Sequence, residues 1–204
     1  MIRVGEAAWL LDLASNAQVR AALNALAATE DAAVYDVVPG ASTLLVVTQP
    51  GAAFDPDRLR ELERTTRSEA AAAASTSPPH VHHVPVRYDG EDLAELARAA
   101  RLSVDELVAR HAAADYRVAF VGFQPGFAYL DGLPPELHAP RRASPRPRVP
   151  AGSVAIGGEW TGVYPLATPG GWNLLGTTDL VLFATDVDPP ALLQPGDAVR
   201  FVPR

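Results

Sequence analysis

The chain has 204 residues, 48% of them hydrophobic, and a formal net charge of −7. That length fits one large domain or two small ones, and an acidic chain lacks the basic face that nucleic-acid binding needs. There is no Cys, which excludes thiol nucleophiles, disulfides and thiolate metal sites. All 17 basic residues are Arg, which excludes a Schiff-base, biotinyl or phosphate-loop lysine. No stretch has the length and apolarity of a membrane-spanning helix, and the N-terminus lacks the charged start and apolar run of a secretion signal. A cytoplasmic protein with no membrane partner is expected.

Residues 2–13 read as one or two short strands. Ser15 and Gln18 have capping-box spacing, and Val19, Leu23 and Leu26 recur at helical spacing after them. Ala33–Val38 and Thr43–Thr48 are β-rich runs separated by the turn signal Pro39-Gly40. Asp55-Pro56 opens a second helix that an Ala run carries to about Ser75, and Ser77-Pro78-Pro79 breaks it. Val81–Tyr88 is the next strand. This order suits a split βαβ, ferredoxin-like unit, and a boundary at residue 80 gives a small α/β domain over 1–80 and a second domain over 81–204.

Leu93, Leu96, Ala97 and Ala100 form one apolar helical stripe. Ser103 and Glu106 make a second capping box, followed inward by Val104, Leu107, Val108 and His111. After Tyr116 the chain holds most of its Gly and Pro. Short β-rich runs follow at Arg117–Gly122, Ser153–Gly157, Trp172–Leu175, Leu180–Phe183 and Ala198–Val202, as in a small barrel or sandwich. The class is therefore α+β. Residues 134–150 carry six Pro and four Arg and read as an extended, rigid surface loop.

Four segments are candidates for chemistry. In the run Gly122 to Leu130, Gly126 permits close backbone approach and its neighbouring amides suit an anion. There Phe123, Gln124, Pro125, Phe127 and Tyr129 are candidates to line a small pocket, although the residues by themselves favour a hairpin turn with its aromatics in the core. In the Pro/Arg segment, Arg146 is the better candidate for a carboxylate or phosphoryl group among Arg141, Arg142, Arg146 and Arg148. The alternative there is a solvated loop or salt bridges to a partner chain. Ser153, after Gly152, is a turn hydrogen-bonder and not a nucleophile, because it lacks an elbow motif and a spaced His. In the last segment, Tyr164 and Trp172 suit stacking on a flat substrate, Asn173 suits orienting an amide, and Pro169-Gly170-Gly171 allows close approach. Trp172 as a barrel anchor is the other reading. His80, His82 and His83 read as a solvent-exposed strand entry, so no metal is expected.

Together these segments resemble the KipI family of 5-oxoprolinase B subunits (PxpB), also labelled allophanate hydrolase subunit 1. The shared motifs are Gly122-Phe123-x-Pro125-Gly126-Phe127, Pro140-Arg141, Pro145-Arg146, Val149-Pro150-Ala151-Gly152-Ser153, Thr161-Gly162-x-Tyr164-Pro165, Pro169-Gly170-Gly171-Trp172 and the closing Gly196-Asp197-x-Val199-Arg200-Phe201. The resemblance implies a cyclophilin-like β-barrel after the smaller domain. It implies an ATP-dependent lactam hydrolase that opens 5-oxoproline to glutamate, inactive without a KipA-type chain (the C component of 5-oxoprolinase) and a third component of the LamB/YcsF type (the A component). Under it Arg146, Gly126, Gly170 and Gly171 become catalytic candidates, and ATP sits on or is shared with a partner. It also admits a carboxyltransferase part of urea metabolism and a non-enzymatic inhibitor of a sensor histidine kinase. Trp160 stands where the family has Gln, and Thr177 where Arg is common.

Overall fold

The computed structural model describes residues 1–67 and 80–204. The chain divides into two compact units, Met1–Pro78 and Pro79–Arg204, and the α+β class expected from the sequence is what they form. Among the described residues no helix is long and apolar enough to cross a membrane.

The first unit runs β1 (Ile2–Val4), β2 (Ala8–Asp12), α1 (Asn16–Ala27), β3 (Val34–Pro39), β4 (Thr43–Thr48) and α2 (Asp57–Thr65). Ser15 caps α1, its hydroxyl accepting from the Gln18 amide at 3.3 Å. The Gln18 side chain does not close a box with Ser15. Its Oε1 accepts from the Ala14 amide at 2.8 Å, and its Nε2 donates to the Glu63 carbonyl at 2.9 Å, tying α1 to α2. The sheet order is β1-β2-β4-β3. Both β2 and β3 pair antiparallel with β4, so they run parallel around it, joined by α1. That is the expected split βαβ, closed over Leu11, Val19, Leu44, Val46 and Leu59.

The strand after α2, expected in this sheet, is not there. The edge beside β2 is taken by β1. Instead β5 (Val81–Val86) pairs parallel with the last strand of the second unit, because Val84 and Val86 are buried in that unit's core. The Ala run expected to prolong α2 lies outside the described residues.

The second unit continues with α3 (Leu93–Ala99), α4 (Val104–Ala113), β6 (Tyr116–Val121), β7 (Ala128–Asp131), β8 (Arg146–Val149), β9 (Ser153–Gly157), β10 (Trp160–Val163), β11 (Thr168–Gly170), β12 (Asn173–Thr177) and β13 (Ala198–Pro203). Both arms of the Ser103–Glu106 capping box form at the start of α4. Seven strands make one sheet in the order β12-β9-β10-β7-β6-β13-β5. Its two edges meet: the Arg87 and Thr177 amides and carbonyls exchange hydrogen bonds of 2.9 and 2.8 Å. This nearly closes a barrel, which removes exposed sheet edges.

Two loop expectations change. Residues 180–183 form no strand; only Phe183 makes an isolated bridge, to Ala191. The Pro/Arg segment contains a short 3-10 turn, Pro135–Leu137, and then β8, which pairs with β11 as a separate two-stranded sheet. Prolines at alternate positions 145 and 147 leave the intervening Arg146 to bond, so an edge ribbon tolerates them.

His111 is fully buried in the barrel core and stacks on Phe201 at 4.6 Å. Thr161 donates its hydroxyl proton to the Ala155 carbonyl at 3.0 Å. It can therefore only accept from His111 Nε2, 3.0 Å away. That places the ring proton on Nε2 and leaves Nδ1 to accept from the Tyr88 hydroxyl at 2.8 Å. Burial pushes the His111 pKa down to about 3, so the ring is neutral at pH 7.

Candidate functional site

Loop chemistry on one side of the barrel builds an aromatic cavity. Between β6 and β7, the Gln124 amide donates to the Gly122 carbonyl at 2.8 Å and the Phe127 amide to the Gln124 carbonyl at 3.0 Å. This tight path holds Phe123 at φ 70° and Gly126 at φ 77°. A left-handed backbone suits glycine and strains phenylalanine. A Cβ on Gly126 would lie 2.7 Å from the Phe183 Cβ, so this glycine serves packing of the loop against residues 182–183. At the opposite wall, a Cβ on Gly170 would lie 2.5 Å from the Tyr164 hydroxyl.

Phe127 is the hub of the aromatic cluster. It meets Trp172 and Tyr164 edge-on at 5.3 Å each, and Tyr129 at 5.1 Å. Edge-to-face packing of this kind adds to simple area burial. Trp172 and Tyr164 are buried, so Trp172 is both a core anchor and a cavity wall. The cavity has a volume of about 400 Å³ and is lined by Phe123, Phe127, Tyr129, Arg141, Arg142, Pro145, Tyr164, Pro169, Gly170, Gly171 and Trp172. That is within the size range of small-molecule sites. Its lining carries two guanidinium groups and no carboxylate. Burial raises the Tyr129 and Tyr164 pKa values, so both phenols stay protonated and neutral at pH 7.

Eight of the residues singled out in the sequence therefore meet at one cavity: Phe123, Phe127, Tyr129, Tyr164, Pro169, Gly170, Gly171 and Trp172. Gln124, Pro125, Gly126, Asn173 and Arg146 do not line it. Gln124 donates to the Leu166 carbonyl at 3.3 Å, and Asn173 donates to the Pro140 carbonyl at 2.9 Å. Arg146 donates through Nη2 to Asp92 at 2.8 Å and to Glu91 at 3.2 Å. The same Asp92 oxygen accepts from Arg142 at 2.8 Å. Sequence reasoning misses Asp92, whose place before an apolar stripe reads as an ordinary solvated carboxylate. It is buried.

Three further positions find partners. Trp160 packs edge-on against Phe120 at 5.4 Å. Thr177 accepts from Arg87 at 3.0 Å and donates to Asp89 at 3.1 Å, so a guanidinium stands beside it from outside its own strand. His82 contacts Asp197 at 2.9 Å, a pairing across 115 residues. Among the described residues, no three His, Asp or Glu side chains gather as metal ligands would.

A model of the carboxyltransferase domain, subdomain C and D, matches residues 1–193. The chain belongs to this family. Its relatives include the 5-oxoprolinase B subunit of Escherichia coli O157:H7, 46% identical over 174 residues, which are 84% of this chain and 78% of that protein. Another is the 5-oxoprolinase B subunit of Bacillus subtilis, 50% identical over 122 residues, 58% of this chain and 51% of that protein. The resemblance read from the motifs is thus borne out in its 5-oxoprolinase part. Among solved structures, TTHA0988 superposes with a TM-score of 0.79 at 37% identity. That alignment covers 97% of this chain but only 40% of TTHA0988, so this chain spans less than half of that protein. The urea carboxylase of Kluyveromyces lactis superposes with a TM-score of 0.68 at 16% identity, over 99% of this chain and 21% of the enzyme, which establishes a shared fold.

Proposed function

We propose that the chain is one component of a cytoplasmic, heteromeric 5-oxoprolinase that opens 5-oxo-L-proline to L-glutamate with the help of ATP. The observation that carries this reading is a small aromatic cavity with an arginine-lined, acid-free wall in a chain 46% identical to a protein named as the B subunit of 5-oxoprolinase. The substrate is a flat five-membered lactam with one carboxylate. Aromatic walls fit the ring and guanidinium groups fit the carboxylate.

A lactam resists water because its nitrogen shares electron density with the carbonyl. Transfer of the phosphoryl group of ATP to the carbonyl oxygen, with ADP leaving, activates the carbonyl carbon. Water adds there, and the C–N bond breaks as the nitrogen takes up a proton and leaves as the amino group. A second water releases phosphate from the acyl phosphate to give glutamate. Phe127, Tyr129 and Tyr164 exclude bulk water and orient the ring. Backbone amides of Gly170 and Gly171, which line the cavity, are the groups assigned to stabilise charge developing on the carbonyl oxygen. The role of carboxylate anchor, assigned to Arg146 from the sequence, passes to Arg142, because Arg142 lines the cavity and Arg146 does not. The chain has no Lys and so cannot supply the lysine of a phosphate-binding loop. ATP therefore fits a KipA-type partner, or the joint surface with it, with a LamB/YcsF-type component completing the complex.

A second reading, a carboxyltransferase part of urea metabolism, draws on the family description and the fold shared with urea carboxylase. Reconstitution separates the two. The chain co-expressed with both partner components should release glutamate from 5-oxoproline only when ATP is present, and the chain alone should release none. A complex that instead carboxylates urea, or a chain that captures neither partner, would overturn the first reading.

A further inference from the structure

Asp92 stands at the start of α3, where a carboxylate ordinarily caps its own helix. It makes no such bond. Its carboxylate points the other way. Oδ2 accepts from the Leu174 amide of β12 at 2.7 Å, and Oδ1 accepts from Arg142 Nη1 and Arg146 Nη2, both at 2.8 Å. The side chain is only 6% exposed, so its charge persists only because it is paired. Burial alone would raise its pKa. The Arg146 bond, the Leu174 amide and the Arg142 charge outweigh that and hold the carboxyl below its ordinary value.

The charges do not cancel. One carboxylate facing two guanidinium groups leaves an excess positive charge. Glu91 reaches Arg146 at 3.2 Å but is 75% exposed, so water screens it. Arg146 Nη1 is buried and has no hydrogen-bond partner among the described residues. The backbone ties both arginines to the cavity wall: Gly170 is the register partner of Arg146, and the Arg142 amide donates to the Gly171 carbonyl at 2.8 Å. Arg142 lines the cavity, and Asp92 holds one of its nitrogens at a fixed place. A held guanidinium loses less freedom on binding than a loose one.

We infer that Asp92 is a positioning residue that fixes Arg142 as the anion anchor of the cavity, with Arg146 behind it, for a small flat ring bearing one carboxylate. This rests on the functional reading above for its substrate, but not for its geometry.

The test is a double-mutant cycle in the reconstituted complex with Arg142→Ala, Asp92→Asn and the pair. Arg142→Ala should raise KM for 5-oxoproline at least tenfold and change kcat less than threefold. Asp92→Asn should raise KM with Arg142 in place and add less than twofold in the Arg142→Ala background, because it acts through that arginine. Asp92→Glu should restore part of the loss. Inhibition by neutral 2-pyrrolidinone, which has the ring without the carboxylate, should not change with Arg142→Ala. An unchanged KM in Arg142→Ala, multiplicative effects in the pair, or a parallel loss of 2-pyrrolidinone inhibition would each overturn the inference. If Asp92→Asn fails to fold, Asp92→Glu closes the cycle. Equilibrium dialysis of labelled 5-oxoproline against the same complexes separates the two claims. Binding without turnover removes the hydrolase reading and still decides the role of Arg142. A wild-type complex that binds no 5-oxoproline removes both.

Discussion

Lowering the pH from 7.5 to 5.0 should destabilise the barrel unit through His111 alone by about 2 kcal/mol. In the unfolded chain an imidazole titrates near ~6.5. In the fold burial holds it at about 3. The folded state therefore takes up no second proton on this ring while the unfolded state gains one as the pH falls below the unfolded value. The stability is complete above that value and is lost progressively toward the folded one. Linkage gives about 0.8 kcal/mol lost at pH 6 and about 2 kcal/mol at pH 5. His111→Gln keeps one donor and one acceptor for Thr161 and Tyr88 but does not titrate. Urea unfolding followed by tryptophan fluorescence in a Trp9→Phe background, which leaves Trp160 and Trp172 as the reporters, reads this unit with His111 and with His111→Gln at pH 7.5, 6.0 and 5.0. The other four histidines are common to both proteins and drop out of the difference. The gap between the two stabilities should shrink by about 2 kcal/mol across the range. Parallel profiles would refute the argument that the buried ring is neutral.

Phe123 sits in the left-handed backbone region with its side chain 55% exposed, so strain there is not repaid by burial. Phe123→Gly should melt at a higher temperature than Phe123→Ala, by the equivalent of about 1 kcal/mol, while both raise KM for the cavity's ligand. Equal melting temperatures would remove the strain. Gly170→Ala should cost about 1–3 kcal/mol by driving a methyl into the Tyr164 hydroxyl. Gly171→Ala has its nearest neighbour at 3.7 Å and should melt close to wild type. Matched thermal melts check the pair, and an undisturbed Gly170→Ala would show that Tyr164 moves aside freely.

Some of this molecule is legible one residue at a time. The Ser15 and Ser103 caps, the paired strands around Pro39-Gly40 and the helical stripe carrying His111 are local patterns, because spacing and backbone preference act over a few residues. The aromatic and glycine motifs likewise mark the loops that line the cavity, since their residue types suit turns and walls wherever they fold. What escapes is set by pairing across the chain. Whether Val81–Val86 closes the first sheet or the barrel depends on which core buries Val84 and Val86, and the strand reads the same in either. Arg146 looks like the ligand anchor among four similar arginines, and Asp92 looks like a solvated helix start. Their assignment is decided only when a separation of 54 residues is folded up to bring one carboxylate between two guanidinium groups, because a buried charge takes its identity from the neighbours that desolvate and pair it.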